Sequence, residues 1–351
     1  MTDDRIAFVG TYTDGDSEGV YTVRADAEGR IERLGATDAG ENPSFLALHP
    51  GDHYLYAVNE VDEGAVTAME LDENGDLERL NQVVTGGGAD PCHCTVDATG
   101  EYLLVAHYTG GTVAMLPIED DGTVGEPTTV VEHEGEGVHP ERQNGPHPHS
   151  IQPGPDNEYA YVPDLGTDRV YVYELDLADG DLVPVAEPSV ELPDGAGPRH
   201  LDFHPNGRHA YLINELDSTI TALERDPETG SLTVLDAVST LPEGYDGDNI
   251  TADVHVHPSG EFVYGSNRGH DSVAAFAVDE DSGELEPVDR VSTRGEWPRN
   301  FAITPDGAHL LAENMDTDDV VTFAIDEVTG ELSAMGDVAA LPSPVCLQFR
   351  D

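Results

Sequence analysis

Seven self-similar segments, short alternating apolar runs inside each, and one segment divided between the two chain ends predict an all-β chain folded as a seven-bladed β-propeller. The divided segment comes first along the chain. RIAFVGTYTDG and the following GVYTVRADAEGRIERL supply later strands of a blade whose first strand, SPVCLQF from Ser343, stands at the carboxyl end. Pairing the two ends closes the ring and removes the free edges a linear array would leave. Six intact segments follow, beginning NPSFLALHPGDHYLYAVNE at Asn42, DPCHCTVDATGEYLLVAHY at Asp90, HPHSIQPGPDNEYAYVPDL at His147, GPRHLDFHPNGRHAYLINE at Gly197, ITADVHVHPSGEFVYGSNR at Ile250 and WPRNFAITPDGAHLLAENM at Trp297.

The residue that opens each copy, Pro43, Pro91, Pro148, Pro198, Thr251, Pro298 and Pro344, recurs at steps of 48, 57, 50, 53, 47 and 46 residues. Within a copy, two strands joined by a tight turn such as HPGDH precede a third and fourth separated by an Asp-rich turn, as in TITALERDPETGSLTVL. Each unit therefore holds four antiparallel strands, and residues 1–351 read as a single propeller domain.

Composition narrows the function classes. Against 71 acidic residues stand 15 basic ones, all Arg, for a net charge of −56. Such a chain repels nucleic acid and anionic membrane surfaces, and it contains no apolar run long enough to span a bilayer. A folded chain of this size exposes roughly 14,000 Å², so the strand pattern and the charge together suggest an acidic surface adapted to strong salt, similar to the proteins of salt-in halophilic archaea. The acidic amino terminus has no secretory pattern, which places the expected location in the cytoplasm. Cys92, Cys94 and Cys346 read as buried thiols.

The aligned frame also points to a site. First and second strands are antiparallel, so residues opening one meet residues closing the other. The opening positions hold Ser44/Phe45, Cys92/His93, His149/Ser150, Arg199/His200, Ala252/Asp253, Arg299/Asn300 and Val345/Cys346. The closing positions hold Thr11/Tyr12, Asn59/Glu60, His107/Tyr108, Asp164/Leu165, Asn214/Glu215, Asn267/Arg268 and Asn314/Met315. Below them the register turns apolar, through Leu46, Cys94, Ile151, Leu201, Val254 and Phe301. A polar mouth over an apolar wall predicts a ligand cleft at one end of the channel. Three of the 15 Arg residues, Arg199, Arg268 and Arg299, fall at these positions in a strongly acidic chain, which favours an anionic small molecule held by guanidinium forks. Salt bridges to Glu60, Glu215 and Asp253 are the alternative use of those cations, and turn capping is the alternative use of the repeated Asn residues.

The stretches NGPHPHSIQPGPDNEYAYVPDL, GPRHLDFHPNGRHAYLINELDS, ADVHVHPSGEFVYGSNRGHDS and WPRNFAITPDGAHLLAENM resemble the propeller-type 6-phosphogluconolactonases, whose fold is shared with the carboxy-muconate lactonizing enzymes. The resemblance spans nearly the whole chain. It implies that His149, Arg199, Glu215 and Arg268 are catalytic, since the lactonizing members carry a His, an Arg, a Glu and a second Arg in the matching motifs. His93, His107, His200, Asn267, Arg299 and Asn300 are expected to bind substrate around them. The implied activity is hydrolysis of a sugar lactone, by default 6-phosphogluconolactone, with His149 or Glu215 as base. No cofactor, metal or obligate protein partner is expected. Cycloisomerization of a muconate-like anion and a noncatalytic docking scaffold are the alternatives. A calcium ion on Glu60, Asp164, Asn214 and Asn267 is disfavoured by the three guanidiniums expected at the same mouth. The segment EDDGTVGEPTTVVEHEGEGVHPERQ, with His133 and His139, is long enough to act as a lid.

Overall fold

The computed structural model describes residues 4–185 and 190–350; the first three residues of the amino-terminal reading lie outside it. Every named element among the described residues is a β-strand, and no helix is long and apolar enough to cross a membrane. The strands form seven antiparallel sheets. In the first blade the carboxyl-terminal strand Pro344–Phe349 is innermost, followed outward by Arg5–Thr11, Val20–Ala25 and Ile31–Thr37. Ala7 pairs with Phe349 and Val9 with Leu347, which is the ring closure the divided segment requires.

The other blades repeat the order. Their inner and second strands are Pro43–Leu48 with Tyr54–Asn59, Pro91–Val96 with Tyr102–His107, Gln152–Pro153 with Tyr159–Asp164, Pro198–Phe203 with His209–Asn214, Ile250–Val256 with Phe262–Arg268, and Pro298–Ile303 with His309–Asn314. The segment expected to act as a lid is divided in use. Thr129–Glu132 pairs with Thr112–Pro117 as the outer strand of the third blade, because its Val130 and Val131 continue the strand alternation. Only the residues after it cross to the channel.

Seven apolar clusters hold the ring together, one in each seam between adjacent blades. Tyr21, Val23, Leu311 and Val320 fill the seam that joins the last blade to the first, and Tyr211, Ile213, Val263 and Phe276 fill the one between the fifth and sixth. Burying a side chain of this size stabilises by about 1.5–3 kcal/mol, so each seam is a major share of the stability. Polar clasps fix the spacing of the seams. Tyr56, Tyr211 and Tyr264 each donate from the hydroxyl to a turn carbonyl of the next blade, at Gly122, Gly283 and Gly330. On the inner turns His49, His204 and His257 reach the carbonyls of Gly100, Gly260 and Gly307 at 3.1, 2.9 and 2.9 Å. Gly260 adopts φ +80°, and a Cβ there would sit 2.6 Å from the His204 ring, so the turn needs glycine for both reasons.

The folded chain exposes 14041 Å². Spread over that area, the net charge of −56 amounts to about one unit per 250 Å², or neighbours roughly 16 Å apart. Screening reaches about 10 Å at 0.1 M salt and 3 Å at 1 M. The melting temperature is therefore expected to rise steeply between 0.1 and 2 M KCl. Thermal unfolding across that series checks it, and a flat profile would mean the carboxylates do not repel one another appreciably.

Candidate active site

A repeated irregularity builds the channel. In six blades the pairing of the two innermost strands slips by one residue at the start of the inner strand, for example between Pro43 and Phe45, Pro91 and His93, and Pro198 and His200. In a regular strand, successive side chains face opposite ways; a bulge lets two successive ones turn to the same side. Both members of an opening pair can therefore face the channel, and along its length they divide between two chambers. The first member of the pair faces the mouth, as Cys92, His149 and Arg299 do, and the second lines a chamber at the other end of the channel, as Phe45, His93, Ser150, His200, Asp253 and Asn300 do.

The closing pairs divide by ordinary alternation. Asn59, His107, Asp164, Asn214, Asn267 and Asn314 turn into the blades. His107 meets Thr85 at 2.7 Å and Thr112 at 3.2 Å, and Asn267 meets Thr240 at 2.6 Å and Ser272 at 3.2 Å. The following residues Tyr12, Glu60, Tyr108, Glu215 and Arg268 face the mouth.

The resulting cup has a volume of about 340 Å³, within the range of small-ligand sites. A larger hollow of about 660 Å³ lies between the fourth and fifth blades, but its cations are spent on surface pairs, Arg208 with Glu224 and Arg225 with Asp156. The chemistry converges in the cup instead.

Glu215 is its centre. Buried to 2% exposure, it receives Arg268 Nη2 at 2.7 Å on Oε2, and its Oε1 accepts from Arg142. Arg199 Nε lies 3.1 Å from Oε2, an ion-pair approach whose direction does not make a hydrogen bond. Burial raises the Glu215 pKa, but Arg268, Arg199 and Arg142 together outweigh it and hold the carboxyl at about 2. Arg199 is pulled down to about 9, chiefly by burial and then by Arg268, which still leaves it cationic at neutral pH. His149 Nε2 stands 4.0 Å from Glu215, and Nδ1 stands 3.7 Å from Cys92 Sγ. Burial first, then Arg199, His200 and Arg299, push its pKa well below the usual value, so the imidazole is neutral. Arg299 covers the Tyr12 ring at 5.5 Å and approaches Glu60 at 3.9 Å, while Tyr12 and Ser44 donate to Glu60 at 2.9 and 2.6 Å.

Thus His149, Arg199, Glu215, Arg268 and Arg299 come together, whereas His93, His200 and Asn300 lie in the opposite chamber and His107 and Asn267 inside their blades. The residues considered for calcium do not share one site either. Asp164 accepts from His133 and His147, and Asn214 donates to Thr219 and Thr221. Among the described residues no cluster of three or more His, Cys, Asp or Glu groups is placed to hold a metal.

Arg142 was not expected. It reaches the cup from the crossing segment, donating to Tyr108 at 3.3 Å as well as to Glu215. Its neighbour Gln143 anchors it, donating at 2.9 Å to Leu165 O and at 2.7 Å to Asp168. His133, one of the two histidines noted in the segment, is a buried strut between Asp164 and Tyr173.

Residues 6–349 match the family described as lactonase, 7-bladed beta-propeller. The chain belongs to that family. It is accordingly an enzyme of the lactone-hydrolase class. It is 39% identical over 348 residues to the 6-phosphogluconolactonase of Bacillus subtilis strain 168, with 98% of both chains covered. A putative 6-phosphogluconolactonase from Bacteroides fragilis superposes with TM-score 0.93 at 36% identity, and the periplasmic gluconolactonase PpgL of Pseudomonas aeruginosa with TM-score 0.93 at 34%. Each superposition covers 99% of both chains.

Proposed function

We propose that the lactonase opens a phosphorylated sugar lactone, 6-phosphogluconolactone by default, without a metal ion. The observation that carries this reading is the charge of the cup: Arg142, Arg268 and Arg299 line it, Arg199 stands behind against Glu215, and the carboxylates among the lining residues are Glu60 and Glu215, an excess of positive charge in a chain of net charge −56. A phosphate dianion matches that excess, and a resident divalent cation would be repelled by it.

In the reaction, water attacks the lactone carbonyl carbon while His149 takes a proton from it. The carbonyl oxygen becomes an oxyanion opposite Arg199 and Arg268, which stabilise it more strongly than the neutral ground state. Collapse breaks the ring C–O bond, and the imidazolium returns the proton to the departing alkoxide, leaving an open-chain hydroxy acid. Glu215, ionised and held by three guanidiniums, is too weak a base for this step. Its part is to hold the cations in register.

Relatives named for both the phosphorylated and the plain sugar lactone make the phosphate the point to test. Hydrolysis of 6-phosphogluconolactone and of gluconolactone is compared in molar KCl, with and without chelator. The phosphorylated lactone should be preferred and chelator should be without effect. Preference for gluconolactone would remove the phosphate from the reading, and chelator-sensitive turnover would remove the metal-free mechanism. Arg142→Ala should raise KM for the phosphorylated lactone roughly 10–100-fold, the loss of one charge-assisted contact, and change kcat little. An equal rise for both lactones would assign Arg142 to the common sugar ring instead of the phosphate.

A further inference from the structure

We propose that Asp253 and His200, in the chamber opposite the mouth, are positioning residues that fix the guanidinium of Arg199. The proposal rests on the reading of the mouth given above and adds residues that touch no substrate. Its basis is a hydrogen-bonded chain across the floor between the chambers. Arg199 Nη1 stands 3.2 Å from His200 Nε2, and His200 Nδ1 stands 2.7 Å from Asp253 Oδ1. Asp253 is buried to 2% exposure and fully engaged: Val254 N donates to Oδ1 at 3.0 Å, His255 Nε2 approaches Oδ2 at 3.0 Å, and Asn300 Nδ2 also donates to Oδ2.

Donor and acceptor counting gives the chain one direction. A guanidinium only donates, so His200 Nε2 must be the bare nitrogen and Nδ1 must carry the hydrogen. Asp253, an acceptor at both oxygens, enforces that tautomer. The same logic is seen where a carboxylate sets the tautomer of a histidine that in turn orients a functional group. Burial and Arg199 also keep the His200 ring neutral, so it does not repel the guanidinium.

The chain matters because it holds the Nη1 end of the guanidinium, whereas Glu215 approaches only Nε, at 3.1 Å and without a hydrogen bond. Nη1 donates to His200 and to Ala252 O, whereas among the described residues Nε has no hydrogen-bond partner and Nη2 makes none to protein. With Nη1 engaged and Nε buried against Glu215, Nη2 is the donor left for a developing oxyanion. The inner-strand bulge makes the arrangement possible, since Arg199 and His200 are successive residues that both face the channel.

The test uses the full chain in molar KCl. His200→Leu and Asp253→Asn should each lower kcat on the order of 10–100-fold with KM little changed, the effect of misplacing a transition-state contact by a fraction of a bond length. His200→Gln, whose amide can donate to Asp253 and accept from Arg199, should recover most of kcat. In an Arg199→Ala background His200→Leu should cost nothing further, an outcome that general damage to the blade would not produce. Histidine-selective 15N spectra of the wild type should show His200 protonated at Nδ1 alone. A His200 ring protonated at Nε2, unchanged kcat in folded His200→Leu, or an additive loss in the Arg199→Ala background would each overturn the proposal. Wild-type turnover of Arg199→Ala would instead overturn the reading of the mouth, and the nitrogen spectrum would still decide the tautomer.

Discussion

Glu215→Gln is expected to remove turnover and to destabilise the fold by about 3–5 kcal/mol, the cost of leaving buried charges without their counter-ion. The substitution keeps the shape of the side chain and removes only its charge. Arg142, Arg199 and Arg268 then face one another across the cup, and an amide can accept on one side only, so at least one guanidinium loses its partner. The sign of the pH dependence follows from the depressed pKa. Glu215 titrates at about 2 in the fold against an ordinary 4.5, so its stabilisation is complete above about pH 4.5 and is lost as pH falls towards 2. Denaturant unfolding of the two proteins should give a gap that is widest at neutral pH and closes over that interval. Equal stability at pH 7, or a gap independent of pH, would mean that the three cations do not depend on this carboxylate.

The ring was legible in the sequence because a propeller repeats its strand pattern, and Ser343–Phe349 could be assigned to the first blade from that pattern alone. The mouth was legible only in part. Reading two adjacent positions as one polar rim placed His93, His200 and Asn300 beside Glu215, but with both members of a pair turned to the channel by the bulge at the start of the inner strand, they divide along its length between two chambers. A bulge of one residue leaves no mark on an apolar–polar alternation, so nothing in the pattern announced it. His107 and Asn267 were polar for a local reason, His107 meeting Thr85 and Thr112 and Asn267 meeting Thr240 and Ser272, and for Asn267 that use was already available as the turn-capping alternative. Arg142 lies outside the repeat, on a segment with no counterpart in other blades. Its one signal was scarcity: an Arg in a chain with 15 basic residues, placed in the insertion that crosses the channel.

Replacing His149 with alanine should lower kcat about 10²–10⁴-fold, the usual contribution of a positioned general base, and leave KM close to its wild-type value. The choice between His149 and Glu215 as base rests on their protonation states. A base must be unprotonated and able to gain a proton; Glu215 meets the first condition but is held at about 2 by three guanidiniums, whereas His149 is neutral and among the described residues has no cation bonded to it. Its depressed pKa comes from burial and from surrounding positive charge, and an anionic substrate cancels part of that charge. Binding should therefore raise the basicity of His149 when the substrate is in place. The acid limb of kcat/KM, which reports the free enzyme, should fall well below pH 6.5, and the acid limb of kcat should lie at higher pH than that of kcat/KM. Both limbs should vanish in His149→Ala. A limb near pH 2 that survives the substitution would transfer the proton to Glu215 and leave His149 as a wall of the cup.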